Sequence, residues 1–157
     1  MDNVNIILNH PKYKMLLEEL NNIEKERKFC NHTLEHFLDV ARIAYIIVLE
    51  KKLCYSKEVI YSIALLHDIG RVAEYNNGVD HHEASAIIAE ELLQYTSFTK
   101  EEKTLIIKSI KEHRRESEDE LSKIIYKSDK LSRNCFNCMA YKECYWKEDK
   151  KNNNIKI

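Results

Sequence analysis

The sequence predicts an all-α protein, a bundle of about six helices, and three observations carry that expectation. Only two glycines and one proline occur in 157 residues, which leaves little material for tight turns between strands. Leu, Ile, Glu, Lys and Ala recur instead, and these favour helix. Apolar residues also return at helical spacing in segment after segment, and no stretch reads as a strand. Apolar residues make up 44% and charged residues 32% of the chain, a soluble composition. The length fits one domain able to bury a core without staples.

The elements follow in order. A first amphipathic helix runs from about Pro11 to Arg27, with Tyr13, Leu16, Leu17, Leu20 and Ile23 on one stripe. Pro11 suits its first turn. A second begins near Thr33 and reaches about Lys52, burying Phe37, Val40, Ala41, Ala44, Ile47 and Val48. A third starts at Ser56, an N-cap followed by Glu58, and runs to about Asp68, where Gly70 marks the stop and frees the backbone to turn. A loop holding Asn76-Asn77-Gly78 leads to a fourth helix from about His81 to Tyr95. Thr99 and Glu102 form a capping box for a fifth, reaching about Arg114. A sixth spans roughly Ser117 to Arg133, its acidic start favourable beside the helix dipole. No repeat or linker divides the chain, so one domain is expected over 1–134. Residues 135–157 follow as a short cysteine-containing tail ending in a disordered run.

Several function classes are disfavoured. The formal net charge is −1, so no global basic field points to nucleic acid. The N-terminal run IIL is too short for a signal peptide, and no stretch approaches the ~18 apolar residues of a membrane span. A cytoplasmic location is therefore expected. Without secretion, five cysteines suggest reduced thiols or metal ligation rather than a disulfide framework. Oligomeric state is left open.

The strongest local signal is ALLHDIGR, in which His67-Asp68 closes an apolar helix. A bare carboxylate in such a place costs several kcal/mol, so Asp68 must be paired, hydrated or metal-bound. Imidazole nitrogen with carboxylate oxygen suits Zn, Fe, Mn or Co. Here the sequence resembles the HD superfamily of metal-dependent phosphohydrolases. Their signature is a histidine ahead of an apolar helix, then a His-Asp pair, then a distant aspartate. His36 in HFLDVARIA, His67-Asp68 and Asp129 in YKSDKLSR match these parts in order, over about Asn31 to Arg133.

The resemblance implies an HD-domain bundle and one or two divalent ions (Fe, Mn, Zn, Co or Ni). His81, four residues before Ser85-Ala86, and His113 at the end of the next helix match the further ligands of the binuclear subgroup. His82 is an adjacent competitor for the place of His81, ranked second. His32, four residues before His36, reads equally as a neighbour on the same face or as an exposed or capping residue. In this reading Asp68 bridges the metals and, with His67, carries the catalysis. Metal-activated water then cleaves a phosphate ester or anhydride of a nucleotide or small phosphorylated metabolite. Arg71, Arg114, Arg115 and Lys130 stand near the ligands in sequence and could bind phosphate oxygens.

The tail adds a separate signal. Cys135 and Cys138 form a Cys-x-x-Cys pair, Cys144 follows, and Cys30 stands just before the helix carrying His36. Together they could supply an all-cysteine site for structural Zn or an Fe–S cluster. Cys54 is expected to be a buried apolar filler. Two other functions share the His/Asp ligand set: a di-iron HD-type oxygenase, and a non-catalytic nucleotide-binding regulator.

Overall fold

The computed structural model describes residues 1–113 and 117–157. Among them are eight α-helices and no strand. These are α1 (Asp2–Asn9), α2 (Pro11–Ile23), α3 (Leu34–Glu50), α4 (Lys57–Leu66), α5 (Arg71–Asn77), α6 (His81–Leu92), α7 (Lys100–Glu112) and α8 (Glu120–Leu131). Short 3-10 turns follow at Leu93–Tyr95, Cys135–Asn137, Tyr141–Glu143 and Glu148–Lys150.

Helix α4 occupies the centre. Its residues Val59, Ile60, Ile63, Ala64, Leu65 and Leu66 are all buried, the all-round burial of a helix surrounded by others. Helix α3 packs on α4 and α8, α6 packs on α7, and α7 returns to α4. Phe37, Ala44, Ile60, Ile63, Ile106, Ile110 and Ile125 fill the space between them. Tyr13 of α2 is fully buried and donates its hydroxyl to the Leu65 carbonyl at 3.1 Å. Burial holds that phenol protonated.

The predicted caps are in place. Ser56 Oγ accepts from Val59 N at 3.2 Å, and Thr99 and Glu102 form the reciprocal box at the start of α7. Five expectations are corrected. Helices α1 and α5 were not predicted, and Ile23, expected in the core, is exposed. Cys54 is exposed rather than buried. Gly70 stands in ordinary right-handed backbone, φ −71° and ψ −5°, and caps α5. Its lack of a side chain is needed for close approach and not for backbone freedom. A Cβ there would meet Ser85 N at 2.3 Å and His81 O at 2.4 Å. Lastly, the end of the chain is docked, not loose. Asn152 is buried and donates to the Lys130 and Arg133 carbonyls at 2.6 and 2.9 Å, satisfying acceptors that the end of α8 leaves open.

Candidate metal centre

Each predicted ligand stands at a helix end. His36 lies in the first turn of α3, where Thr33 Oγ1 accepts from its backbone N–H at 3.3 Å. His67 caps the C-terminus of α4, with Asp68 next to it. His81 opens α6, His113 caps the end of α7, and Asp129 occupies the last turn of α8. The bundle thereby points five separate segments at one place.

The six side chains form two groups. One ligand atom each from His36, His67, Asp68 and Asp129 lie within 4.8 Å of one another, and Asp68, His81 and His113 form a second such group. Asp68 belongs to both. Its Oδ2 lies 3.4 Å from His67 Nε2. Its Oδ1 lies 3.1 Å from His81 Nε2 and 3.6 Å from His113 Nε2. His36 Nε2 stands 3.4 Å from Asp129 Oδ1.

The outer ring nitrogens fix which atom faces inward. His67 Nδ1 donates to the Ala64 carbonyl at 2.7 Å, and His113 Nδ1 donates to the Ile110 carbonyl at 2.5 Å. A carbonyl only accepts, so Nδ1 holds the hydrogen and Nε2 presents its lone pair to the centre. His81 Nδ1 meets the Glu74 carboxylate at 3.0 Å. His36 Nδ1 meets Ser132 Oγ at 3.2 Å, and that hydroxyl donates to the Asp129 carbonyl at 2.8 Å. Such outer partners orient metal-binding imidazoles and raise their basicity.

What remains inside is a set of unsatisfied atoms. His36 Nε2, His67 Nε2, His81 Nε2 and Asp68 Oδ1 are buried without a hydrogen-bond partner. Buried polar atoms left this way cost free energy unless something binds them. Divalent cations held by the two groups would satisfy them. Nitrogen and carboxylate oxygen donors are those that Zn, Fe, Mn, Co and Ni accept.

The electrostatics agree with that fit. Burial pushes the His67 imidazole down to about 3, which keeps it neutral and able to ligate. For Asp68, burial alone would raise the carboxyl. The surrounding His67, His113, His81 and Arg71 outweigh it and hold the group well below the usual carboxylate range. Asp129 is held down in the same way by His36, Arg133 and Lys130, against its burial.

Other predicted positions divide. His82 is buried but lies outside both groups, with Glu83 3.9 Å away. Arg71 Nε stands 3.1 Å from Asp68 Oδ1, and its Nη1 bonds Glu74 at 3.1 Å. Lys130 Nζ bonds Asp129 Oδ2 at 2.5 Å. Arg114 and Arg115 lie outside the described residues. Cys30, Cys135 and Cys138 line a common cleft beside His36, but no close ligand group among the described residues contains a cysteine.

Three contributors were not assigned from the sequence. His32 precedes α3 and so shares no helical face with His36. It is fully enclosed, with Nε2 3.4 Å from Asp68 Oδ2 and Nδ1 2.6 Å from Glu24 Oε1. Glu24, just past the end of α2, also accepts from the His32 backbone at 2.6 Å and from the Tyr75 hydroxyl at 2.7 Å. Arg133 bonds Asp129 Oδ1 at 3.1 Å and lies 5.6 Å over the Trp146 ring. A cavity of about 190 Å³ opens on Asp68 and Asp129, and its walls include Arg27, Arg71, Lys130, Arg133, Tyr145 and Trp146. The HxxxH spacing of His32 and His36 was a visible signal; Glu24 offered none.

Comparison with known proteins places the arrangement. Residues 33–134, about two thirds of the chain, match the family model of the HD domain. The chain belongs to the HD-domain family. The matched segment opens on Thr33, the N-cap of α3, and closes just past Asp129, so it contains all six candidate ligands. This HD protein is similar to an uncharacterized protein of Clostridium beijerinckii, at 44% identity over 97% of each chain. Its fold is similar to the crystal structure of a predicted HD superfamily hydrolase from an uncultured Thermotogales bacterium. That likeness has a TM-score of 0.66 and 26% identity, covering 88% of this chain and 78% of the other. No helix among the described residues is long and apolar enough to cross a membrane.

Proposed function

We propose that this HD protein is a metal-dependent phosphohydrolase that cleaves a phosphate ester or anhydride of a nucleotide or small phosphorylated metabolite. The observation that carries the reading is the pair of His/Asp groups sharing Asp68 beneath a cleft walled by cations. When bound there, divalent ions supply a water of lowered pKa and Lewis-acid polarisation of the phosphoryl oxygens. Metal ligation falls to His36, His67, Asp68 and Asp129 in one group, and to Asp68, His81 and His113 in the other.

The remaining steps belong to the side chains. Arg71, Lys130 and Arg133 face the cleft from two sides and receive the phosphoryl oxygens, guanidinium forks being suited to that geometry. Tyr145 and Trp146 offer flat apolar faces on which a base can stack. Against its burial, the surrounding imidazoles and Arg71 hold Asp68 well below the usual carboxylate range, as suits the shared ligand. His32 stands beside it, with Nε2 3.4 Å from Asp68 Oδ2 and its ring oriented by Glu24, in reach of a proton released at the centre.

The test is turnover of a broad panel of phosphate esters and anhydrides by purified protein loaded in turn with Mn, Fe, Co, Ni and Zn. Metal-dependent release of phosphate or nucleoside monophosphate is expected, with a loss of at least ~10²-fold in kcat/KM for Asp68→Ala. Full metal loading with no turnover of any substrate overturns the reading. Oxygen consumption by the iron form would then favour an oxygenase, and tight nucleotide binding without turnover a regulator.

A further inference from the structure

Three of the five cysteines meet where the loop before α3 approaches the tail. Cys30, Cys135 and Cys138 line a cavity of about 300 Å³. Cys144 is brought to the same side by its neighbours. Glu143 pairs with Lys28, and the Tyr145 ring packs edge-on against Phe29 at 6.0 Å. The residues flanking Cys144 therefore grip the two that precede Cys30. Within the tail, Cys138 N donates to Cys135 O, Tyr141 N to Cys138 O, and Cys144 N to Tyr141 O, at 3.1, 3.1 and 3.4 Å. These turns fold the three tail cysteines back on themselves.

The ordinary explanations for so many cysteines fail here. All are free thiols, and Cys138 is exposed while Cys30, Cys135 and Cys144 are half-buried, so none acts as core filling. Cys30 holds a left-handed backbone, φ 41°, which non-glycine residues adopt where surrounding structure enforces it. The Arg133 guanidinium interacts with the Cys30 side chain.

We propose that Cys30, Cys135, Cys138 and Cys144 form a four-thiolate site for a soft metal centre, a zinc ion or an iron–sulfur cluster, which clamps the tail to the helical bundle. The Cys-x-x-Cys pair with two further thiolates supplies the ligand count of either centre. Among the described residues no three of these sulfurs lie within 4.8 Å of one another. A single zinc draws its sulfurs to about 3.8 Å apart, from Zn–S bonds of roughly 2.3 Å, so it requires the tail to close inward. A cluster, with a larger core, requires less movement. The clamp matters to the cleft because Tyr145 and Trp146, directly after Cys144, form part of its wall.

The full chain, purified without oxygen, is analysed for metal and acid-labile sulfide alongside Cys30→Ser, the double variant Cys135→Ser/Cys138→Ser, and Asp68→Ala. Zinc, or iron with matching sulfide and visible absorbance, is expected in the wild type. The share of metal held by the cysteines should be lost in both cysteine variants and kept in Asp68→Ala, which empties only the His/Asp groups. Metal content unchanged by the cysteine substitutions overturns the proposal. Thiol labelling of the native wild type needs no variant. Cys54 should react fast and the other four slowly until acid releases the metal; five equally reactive thiols overturn the site.

Discussion

At Gly70, backbone passes backbone with no space for a methyl group. A Cβ would lie 2.3 Å from Ser85 N and 2.4 Å from His81 O, while Gly70 N–H donates to Ser85 Oγ at 2.9 Å. This contact presses the turn after Asp68 onto the start of α6 and so fixes His81 opposite Asp68. Gly70→Ala should destabilise the protein by about 3 kcal/mol, read by urea denaturation, and weaken metal binding as well. Glu24 and His32 act one layer out. Glu24→Gln removes the charge that orients His32 and should lower metal affinity or turnover by about 10–100-fold, with the circular dichroism spectrum unchanged. His67 makes the metal-free protein acid-sensitive. Unfolded, it takes up a proton below about 6.5; folded, only near 3. Its contribution to stability is complete above pH 6.5 and drains as pH falls towards 3. Asp68 and Asp129, with depressed carboxyls, add a further loss below their ordinary range. Thermal melts of chelated protein should therefore fall from pH 6.5 downward, and His67→Gln should flatten the upper part of that slope.

Among the helices, legibility in the sequence depended on length and caps. The capping box at Thr99 and Glu102, with hydrogen bonds of 3.2 and 2.9 Å, marked α7 because it is a local pattern of side chain and backbone. Thr99→Ala should cost about 1 kcal/mol in a denaturation experiment and leave metal content intact. Helices α1 and α5, of 8 and 7 residues, complete barely two turns, too few for a periodic stripe to stand out. Both are held by tertiary contacts that have no local trace. Asn3 of α1 bonds Glu58 of α4 through its backbone N–H at 3.0 Å, and Asn76 of α5 bonds Glu19 of α2 at 2.9 Å. Asn76-Asn77-Gly78 reads as a loop in the sequence, but Asn76 and Asn77 close α5 and only Gly78, with φ 70°, stands outside it as the C-cap.

For the molecule as a whole, the six side chains that the structure brings together could be read in advance because each is chemically conspicuous and set beside an apolar helix. His32 was only half legible, since HxxxH also suits a cap, and Glu24 and Arg133 were silent. Their importance arises only when α2, α3 and α8 converge, a property of the packing rather than of any local stretch. The tail was misread for the same reason. Its polar composition suggests disorder, yet Asn152 finds open carbonyls at the end of α8 that no sequence pattern announces. The fold's main consequence is that one carboxylate serves both ligand groups. Element analysis of the wild type, His113→Ala and Asp68→Ala, with the cysteines intact in all three, decides whether it does. A shared Asp68 predicts that His113→Ala lowers the metal content by one ion and that Asp68→Ala lowers it by two. Equal losses from the two variants, or none from Asp68→Ala, would contradict the shared centre.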